Sequence, residues 1–312
     1  MNPLDDKPYR SLNEYYRPIF GRKTAKISLD GGFTCPNRDG TLGERGCLFC
    51  SSGGSGDFAE SSALSITEQI ERGKAQTALK WQNTAYIAYF QAFTSTYAPV
   101  KTLRAKFEEA LSCSGVEGLS IATRADCLPG DVLDLLEELS SRTRLFVELG
   151  LQSSKPETAE LIRRSFSNDV FAESAAALSQ RGIPVVAHII IGLPGENLTD
   201  VLNTIDFVNS LPIQGVKLQL LHVLSDCDMA DLYLSGSYSP LSKEEYISAV
   251  GSCIARLRPD IVIHRLTGDG SRDTLLAPRW SLNKRDVLNS LHRYLRDNRI
   301  TQGMNFCLGF NS

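Results

Sequence analysis

The sequence predicts an α/β fold in which a parallel sheet curls into a barrel of about six βα units, followed by a smaller C-terminal extension. Its 312 residues are enough for one large barrel or about two domains. Short segments rich in β-forming residues alternate with helical patterns, which favours parallel strands joined by right-handed crossovers. The segment 183–193 is almost entirely apolar, as expected of a strand covered on both faces.

Strands and helices can be assigned in order from their residue periodicity. The predicted strands are 24–29, 84–90, 118–123, 145–151, 183–193 and 216–224. The predicted helices between them are 65–80, 99–111, 131–139, 154–180 and 199–211. Capping-box patterns mark two helix starts in the barrel core, at Ser65 and Glu68 and again at Ser154 and Glu157, and Ser242 and Glu245 cap a later helix. Functional residues are expected in the loops that follow the strands, because the carboxyl ends of parallel strands share one face of a barrel.

The strand–helix alternation changes character after Asp226. The remaining predicted elements are a helix at 242–257, a short strand at 261–263, a polar loop at 265–273 and a helix at 283–297. We therefore divide the chain into an N-terminal segment (residues 1–23), a barrel core (24–225) and a C-terminal extension (226–312) that closes the functional side of the barrel.

The overall composition excludes several classes of protein. Apolar residues make up 42% and charged residues 22%, values typical of a globular chain rather than a disordered one. With 33 basic and 36 acidic residues the net charge is −3, so a strongly basic coat for nucleic acid is excluded. No apolar stretch approaches the length of a membrane span, and the polar start lacks a signal core. We therefore expect a cytoplasmic protein with no membrane contact.

Three of the eight cysteines are clustered, with the spacing C-x11-C-x2-C: Cys35, Cys47 and Cys50. The other five are scattered along the chain, which does not suggest a disulfide framework. The cluster lies in a glycine-rich loop after the first predicted strand, and glycines allow a loop to fold tightly around an inorganic centre.

The number of clustered cysteines limits the metal centre. A closed structural zinc site needs four ligands, and neither a His nor a fourth Cys lies nearby in the sequence. Three thiolates on a cubane iron–sulfur cluster would leave one iron free to bind a small molecule. Zinc with a distant fourth ligand, a redox CxxC pair and three ordinary cysteines remain as alternatives.

The motifs resemble those of radical S-adenosylmethionine (radical SAM) enzymes. Phe49, before the last clustered cysteine, fits that pattern, whereas the wide first gap departs from the common C-x3-C-x2-C and is similar to the branch around the Elongator catalytic subunit. A bacterial family of stand-alone proteins is closer still. The shared segments are CPNRDGTLG, CLFC, YFQAFTSTYA, TRADCLP, VELGLQS, GLPGE and RLTGDGSRDTLLAPRWSLNK.

This resemblance implies a partial (β/α)6 barrel of the TIM type, a 4Fe–4S cluster held by Cys35, Cys47 and Cys50, and S-adenosylmethionine as second cofactor. It implies reductive cleavage of S-adenosylmethionine to a 5′-deoxyadenosyl radical, with electrons from a flavodoxin- or ferredoxin-type donor. The family includes proteins linked to modification of the tRNA wobble uridine. A radical SAM enzyme acting on a protein or small metabolite is the alternative, and a non-catalytic zinc-binding module is a more distant one.

Residues at successive strand ends are candidates for contacts with S-adenosylmethionine. The residues that the resemblance implies are Phe49, Gln91, Thr123, Arg124, Glu148, Gln152, Arg164 and His188. Gln152 and Arg164 match cofactor-binding positions of oxygen-independent coproporphyrinogen oxidases, and His188 stands where those relatives carry an Asp. Glu148 could instead form a structural salt bridge, since a buried carboxylate needs a partner. His188 and His222 could equally be core histidines.

Two further features could serve the reaction on the substrate. Cys127 and Cys227 lie at or just past strand ends, where a thiol could donate a hydrogen atom, although packing is the simpler interpretation. Residues 256–299 hold ten Lys and Arg against five Asp and Glu, which is compatible with RNA as a partner. Within this basic segment, Trp280 could stack on a base. A solvated helix face and a loop that closes the barrel are the alternatives.

Overall fold

The computed structural model describes residues 7–307, and its centre is one sheet of seven parallel strands. In sheet order the strands are β1 (Thr24–Leu29), β2 (Ala85–Phe90), β3 (Val116–Thr123), β4 (Arg144–Gln152), β5 (Val185–Ile191), β6 (Gly215–Leu220) and β8 (Val262–Arg265). The predicted parallel barrel is confirmed. Its seventh strand, β8, comes from the segment that the sequence assigned to the C-terminal extension. The division of the chain into three segments stays a prediction.

Ten helices follow or flank these strands in the described part of the chain. They are α1 (Leu12–Phe20), α2 (Ile66–Ala78), α3 (Val100–Ser112), α4 (Gly130–Ser140), α5 (Pro156–Leu161), α6 (Asn168–Gln180), α7 (Leu198–Asn209), α8 (Met229–Leu234), α9 (Lys243–Arg256) and α10 (Lys284–Asp297). Every helix between residues 7 and 307 is too short or too polar to traverse a lipid bilayer.

The capping boxes differ between prediction and structure. Ser65 and Glu68 form the predicted reciprocal box at the start of α2. The box predicted at Ser154 and Glu157 is wrong, because Lys155 is the N-cap of α5. Ser154 instead contacts Thr204 of α7, with its amide at 2.9 Å and its hydroxyl at 3.1 Å from Thr204 Oγ1. A contact with α7 thus takes the place of the predicted local cap.

Contacts between distant strands show that the sheet is curled. Lys26 on β1 and Lys217 on β6 both reach the carboxylate of Glu148 on β4. In a flat sheet β1 and β6 would lie five strand spacings apart, roughly 24 Å, which two lysine side chains meeting at one carboxylate do not span. The strands therefore wrap around an interior that these polar side chains share.

The sixth predicted strand is broken at its end. β6 ends at Leu220, and β7 (Val223–Leu224) pairs antiparallel with β9 (Leu275–Ala277) in a separate two-stranded sheet. Leu48 of the loop between β1 and α2 packs on this small sheet. The amide of Leu48 donates to Ile162 O at 3.1 Å, and its carbonyl accepts from the amide of Met229 at 3.0 Å. The loop after β1 is therefore fastened to the barrel rim.

Helix α1 closes the amino-terminal end of the barrel. Tyr16 is buried, and its ring lies 5.7 Å from that of Phe146 and 6.5 Å from that of His264. Its hydroxyl is buried and has no hydrogen-bond partner among residues 7–307. The ring therefore stabilises the closure, whereas the hydroxyl carries a desolvation cost.

This difference predicts opposite effects for two substitutions of Tyr16. Tyr16→Phe keeps the ring and removes the unpaired hydroxyl, so the free energy of unfolding should stay the same or rise by about 1 kcal/mol. Tyr16→Ala leaves a cavity and should lower it by about 3–5 kcal/mol. Urea denaturation followed by circular dichroism measures both changes. A Tyr16→Phe variant nearly as unstable as Tyr16→Ala would mean that the hydroxyl is paired in solution.

Candidate active site

The loop between β1 and α2, residues 30–65, holds the three clustered cysteines at the carboxyl ends of the strands. The amide of Arg38 donates to Cys35 O at 2.8 Å, and that of Gly46 donates to Asn37 O at 2.7 Å. Gly46 has φ +74°, and a β-carbon there would lie 2.7 Å from Nε of Arg38. Only glycine suits this turn, which keeps the loop tightly folded around the cysteines.

Cys35, Cys47 and Cys50 all line one cavity of about 240 Å³. Burial raises the pKa of Cys47 to about 12, and Asn37 Nδ2 lies 3.5 Å from its Sγ. Burial also raises the pKa of Cys50, although the Arg38 guanidinium opposes that shift. At neutral pH these groups are therefore thiols, and a bound metal centre would displace their protons.

The arrangement fits a cluster better than a single ion. Among residues 7–307, no group of three or more His, Cys, Asp or Glu side chains converges closely enough to hold one metal ion. A structural zinc ion requires that convergence, with four ligands in a tetrahedron. Cysteines on an iron–sulfur cluster bind separate irons, so three cysteines spread around one cavity match its ligand chemistry.

The residues predicted to contact the second cofactor line this same cavity. They are Phe49, Gln91, Thr123, Arg124, Glu148, Gln152, Arg164 and His188. Phe49 comes from the loop of the cysteines, and Arg164 from the segment after α5. The other six lie on strands β2 to β5 or directly after them. The structure thus brings all eleven predicted cluster and cofactor residues together, and their individual contacts with a cofactor stay predictions.

Gln91 and Thr123 are held by neighbouring side chains. Gln91 Oε1 accepts from Ser28 Oγ at 2.9 Å, and its Nε2 donates to Ser55 O at 2.8 Å. Thr123 Oγ1 lies 2.5 Å from Thr96 Oγ1. Gln91 therefore connects the end of β1 to the cysteine-bearing loop with both of its amide atoms.

Arg124 and Arg164 are also anchored within the chain. Their guanidinium groups lie 5.3 and 4.8 Å from the centroid of the Phe166 ring. Arg124 forms two hydrogen bonds with the Asp126 carboxylate, at 2.9 and 2.7 Å. Arg164 donates to two backbone carbonyls at the end of β4, at 3.1 and 2.7 Å, and burial lowers its pKa to about 10. Arg164 thus fixes the backbone beside Gln152.

Gln152 presents an unused acceptor to the cavity. It lies at the end of β4 with φ +66°, after an irregular step in the pairing with β5. Its Oε1 is buried and has no hydrogen-bond partner in the described part of the chain. A buried polar atom without a partner is costly, and strained backbone is common at binding sites. The amide oxygen therefore suits a ligand that donates a hydrogen bond, such as a hydroxyl or an amine.

Glu148 lies at the centre of a buried charge cluster. Its side chain is fully buried and contacts Lys26 Nζ at 2.5 Å, Ser120 Oγ and His188 Nε2 at 2.6 Å each, and Lys217 Nζ. The structural salt bridge considered from the sequence is thus present, and Glu148 also lines the cavity.

The protonation states in this cluster follow from burial and charge. Burial alone would raise the pKa of Glu148, but the two ammonium groups hold it well below its usual range. Burial lowers the pKa of Lys217 to about 7 and that of His188 to about 4. His188 is therefore neutral near pH 7, and Lys217, which also donates to Tyr89 OH at 2.9 Å, can exchange a proton there.

The two cysteines considered as hydrogen-atom donors lie elsewhere. Among residues 7–307, those that line the cavity do not include Cys127 or Cys227. Cys127 Sγ lies 3.7 Å from Asp126 Oδ1, and Cys227 Sγ donates to Leu224 O at 3.2 Å. Both thiols are buried, which raises their pKa values, and packing explains their positions.

The basic C-terminal segment divides into two parts. Trp280 is half-buried against the core, with Nε1 donating to Leu241 O at 3.2 Å and its ring 5.8 Å from that of Tyr246, and its stacking on a base stays a prediction. Arg265 lines the cavity together with residues 268–271. The predicted barrel-closing loop is therefore part of the cavity wall.

Sequence reasoning missed two residues of the charge cluster, Lys26 and Lys217. Lys26 and Lys217 interrupt apolar strands, and that charge inside a predicted buried strand was the available signal. Their convergence on one carboxylate depends on the curl of the sheet, which the pattern of a single strand does not encode.

Comparison with known proteins identifies the family of this constellation. Residues 40–208 match the family model for the radical SAM superfamily, and residues 213–297 match the model for a radical SAM C-terminal domain. An uncharacterized protein of Bacillus subtilis, YtqA, is 44% identical over 96% of this chain and 94% of its own length.

The resemblance to the Elongator branch is confirmed at lower identity. Elongator complex protein 3 of Bos taurus is 27% identical over 49% of this chain and 28% of its own length. The solved structure of Methanocaldococcus infernus Elp3 with residues 1–46 deleted aligns with a TM-score of 0.67 at 14% identity. That alignment covers 89% of this chain and 64% of the archaeal one, and it shows a shared fold.

The charge cluster predicts a pH-dependent loss of stability in Glu148→Gln. At pH 7 the variant leaves the buried Lys217 and the half-buried Lys26 without a counter-charge, and its free energy of unfolding should fall by about 3–5 kcal/mol. The pKa of Glu148 is lower in the folded chain than its ordinary value of 4.5, so its contribution exists above that value and is lost as the pH falls below it. The deficit relative to wild type should therefore shrink in acid.

Urea denaturation at several pH values measures this difference. Glu138→Gln, which removes an exposed carboxylate paired with Arg104, is the matched control and should show little change. The double variant Glu148→Gln/Lys217→Met should recover part of the loss, because it removes one of the uncompensated charges. A deficit that is constant with pH would contradict an ionised Glu148 as the centre of the cluster.

Proposed function

The chain belongs to the radical SAM superfamily, and from that premise we propose that this enzyme modifies RNA, with the tRNA wobble uridine as its target. The observation that carries the catalytic part is the single cavity lined by the three clustered cysteines and all eight cofactor candidates. The RNA part is supported by the family resemblance, which includes proteins linked to the wobble uridine, and by the basic C-terminal segment.

The cofactors of the superfamily are a 4Fe–4S cluster and S-adenosylmethionine. We propose that Cys35, Cys47 and Cys50 hold the cluster and leave one iron for the second cofactor. When bound, the two groups supply reductive cleavage of S-adenosylmethionine and the 5′-deoxyadenosyl radical that abstracts a hydrogen atom from substrate.

The protein's own residues would position and shield these groups. Gln152 would accept a hydrogen bond from S-adenosylmethionine through its unpaired Oε1. Gln91 and Arg164 would act indirectly, because their hydrogen bonds hold the cysteine-bearing loop and the end of β4. Neutral His188 and the Glu148 cluster would line the buried side of the cavity and exclude bulk water from the reacting groups.

We propose partners on two surfaces. Leu42 and Phe58 of the loop that bears the cysteines are 51% and 55% exposed, which suits docking of a flavodoxin- or ferredoxin-type electron donor near the cluster. Arg285, Arg293 and Arg296 are exposed on α10, on the side away from its buried residues. Such a row of arginines suits contact with the phosphates of a tRNA.

The cluster assignment predicts that each of three single variants loses iron. After anaerobic reconstitution, Cys35→Ala, Cys47→Ala and Cys50→Ala should each fail to retain the cluster, because two thiolates do not hold it stably. Cys253→Ala, a fully buried cysteine of α9, is the control and should keep its iron. Iron and sulfide analysis, with electron paramagnetic resonance before and after adding S-adenosylmethionine, measures the outcome.

Two results would contradict this assignment. A variant that keeps the cluster and its response to S-adenosylmethionine would show that the substituted cysteine is not a ligand. A wild-type protein that takes up one zinc ion and no iron would favour the non-catalytic zinc module.

The RNA proposal predicts a change in tRNA. In a strain that lacks the gene, mass spectrometry of tRNA nucleosides should show loss of one modified uridine and accumulation of its precursor. Wild-type protein should restore the profile, and the Cys50→Ala variant should not. An unchanged profile would refute RNA as the substrate and leave a protein or small metabolite, without affecting the cluster assignment.

A further inference from the structure

The cavity wall contains one cation that the chain itself does not use. Five Lys and Arg side chains line the cavity among residues 7–307: Arg38, Arg124, Arg164, Lys217 and Arg265. Four of them are held by carbonyls or carboxylates of the protein. Arg265, at the end of β8, has no hydrogen bond or ion pair with any residue between 7 and 307 and lies half-buried in the wall.

A second unpaired group lies close to Arg265. His222 follows β6 and lines the same cavity, and its Nε2 is buried without a partner in the described chain. Burial lowers the pKa of His222 to about 4; the Asp269 carboxylate opposes this shift and the Arg265 guanidinium adds to it, so the ring is neutral near pH 7. A neutral imidazole nitrogen that carries its proton can donate to an oxygen anion.

A glycine-rich turn completes this part of the wall. Residues 268–271, Gly-Asp-Gly-Ser, line the cavity, and their backbone amides donate no hydrogen bond to any group within residues 7–307. Gly268 packs on His222, because a β-carbon there would lie 3.1 Å from Cε1 of the ring. Free amides beside an arginine are a common way to bind phosphate-like oxyanions.

Two acidic groups near this turn are paired with lysines. Asp269 is held by Lys284 Nζ at 2.8 and 2.7 Å, and Glu148 is held by Lys26 and Lys217. Lys284 is also the first residue of α10, the helix that carries the exposed arginines. The unpaired positive charge therefore lies where the outer basic surface meets the cavity.

We propose that Arg265, His222 and the amides of residues 268–271 form an oxyanion-binding subsite for the substrate. These groups follow β6 and β8, whereas the cofactor candidates come from β2 to β5, the cysteine-bearing loop and the segment after α5. The identity of the ligand rests on the proposed function. The oxyanion would belong to the RNA, either as a backbone phosphate or as a carboxylate carried by the nucleotide.

The test uses the cluster-loaded protein and two small probes. Isothermal titration calorimetry at constant ionic strength measures the binding of inorganic phosphate and, separately, of acetate. We expect wild type to bind one probe, and Arg265→Gln to weaken it by about tenfold or more, as for loss of a charged hydrogen bond. His222→Gln should also weaken it. Arg144→Gln, an exposed arginine at the other end of β4, should bind as wild type does.

Each outcome decides the proposal. Binding of phosphate assigns a phosphate as the substrate group, and binding of acetate alone assigns a carboxylate. No binding of either probe to wild type, or equal affinity in Arg265→Gln with normal cluster content, overturns the subsite. The result does not depend on tRNA, so a failed subsite and a failed RNA proposal are distinguishable.

Discussion

The buried carboxylate of Glu148 is the constraint on which the rest of the structure depends. A carboxylate without contact to water costs several kcal/mol unless cations and hydrogen-bond donors surround it. Its partners come from β1, β3, β5 and β6, so only a curled sheet can bring them together. The same curl gathers the carboxyl ends of the strands around one cavity. The electrostatic requirement of Glu148 and the cavity therefore depend on the same curl of the sheet.

The cysteine-bearing loop is held in place by contacts with the barrel rim as well as by contacts within itself. Leu48 is hydrogen-bonded to Ile162 and to Met229, the first residue of α8. Gln91 joins Ser28 to Ser55 across the top of β1 and β2. Asn37 connects Cys47 to the carbonyl of Arg163. A loop with little regular structure is thus held at several points, as a metal site needs if its ligands are to keep their positions.

The sequence was sufficient for features that reside in local patterns. The spacing of Cys35, Cys47 and Cys50, the parallel strands and the capping box at Ser65 could be predicted because periodicity and side-chain chemistry determine them. The role of β8, the convergence of Lys26 with Lys217 and the packing of Trp280 against the core could not, because each depends on residues far apart in the chain. The capping box predicted at Ser154 was wrong for the same reason, because Ser154 contacts Thr204, which is far away in the sequence.

The polar groups that have no partner within the chain lie on two different parts of the cavity wall. Most polar groups there satisfy one another, as the Arg124–Asp126 pair and the Glu148 cluster do. Gln152 Oε1 on one side and His222 Nε2 on the other are the fully buried side-chain atoms of the wall that lack a partner within residues 7–307, and Arg265 beside His222 is a half-buried cation without one. A folded chain tolerates unpaired polar groups mainly where a ligand pairs with them. The unpaired atom beside the predicted cofactor residues is an acceptor, which suits a ligand that donates a hydrogen bond. The unpaired groups at the ends of β6 and β8 include a permanent cation, which suits an anion.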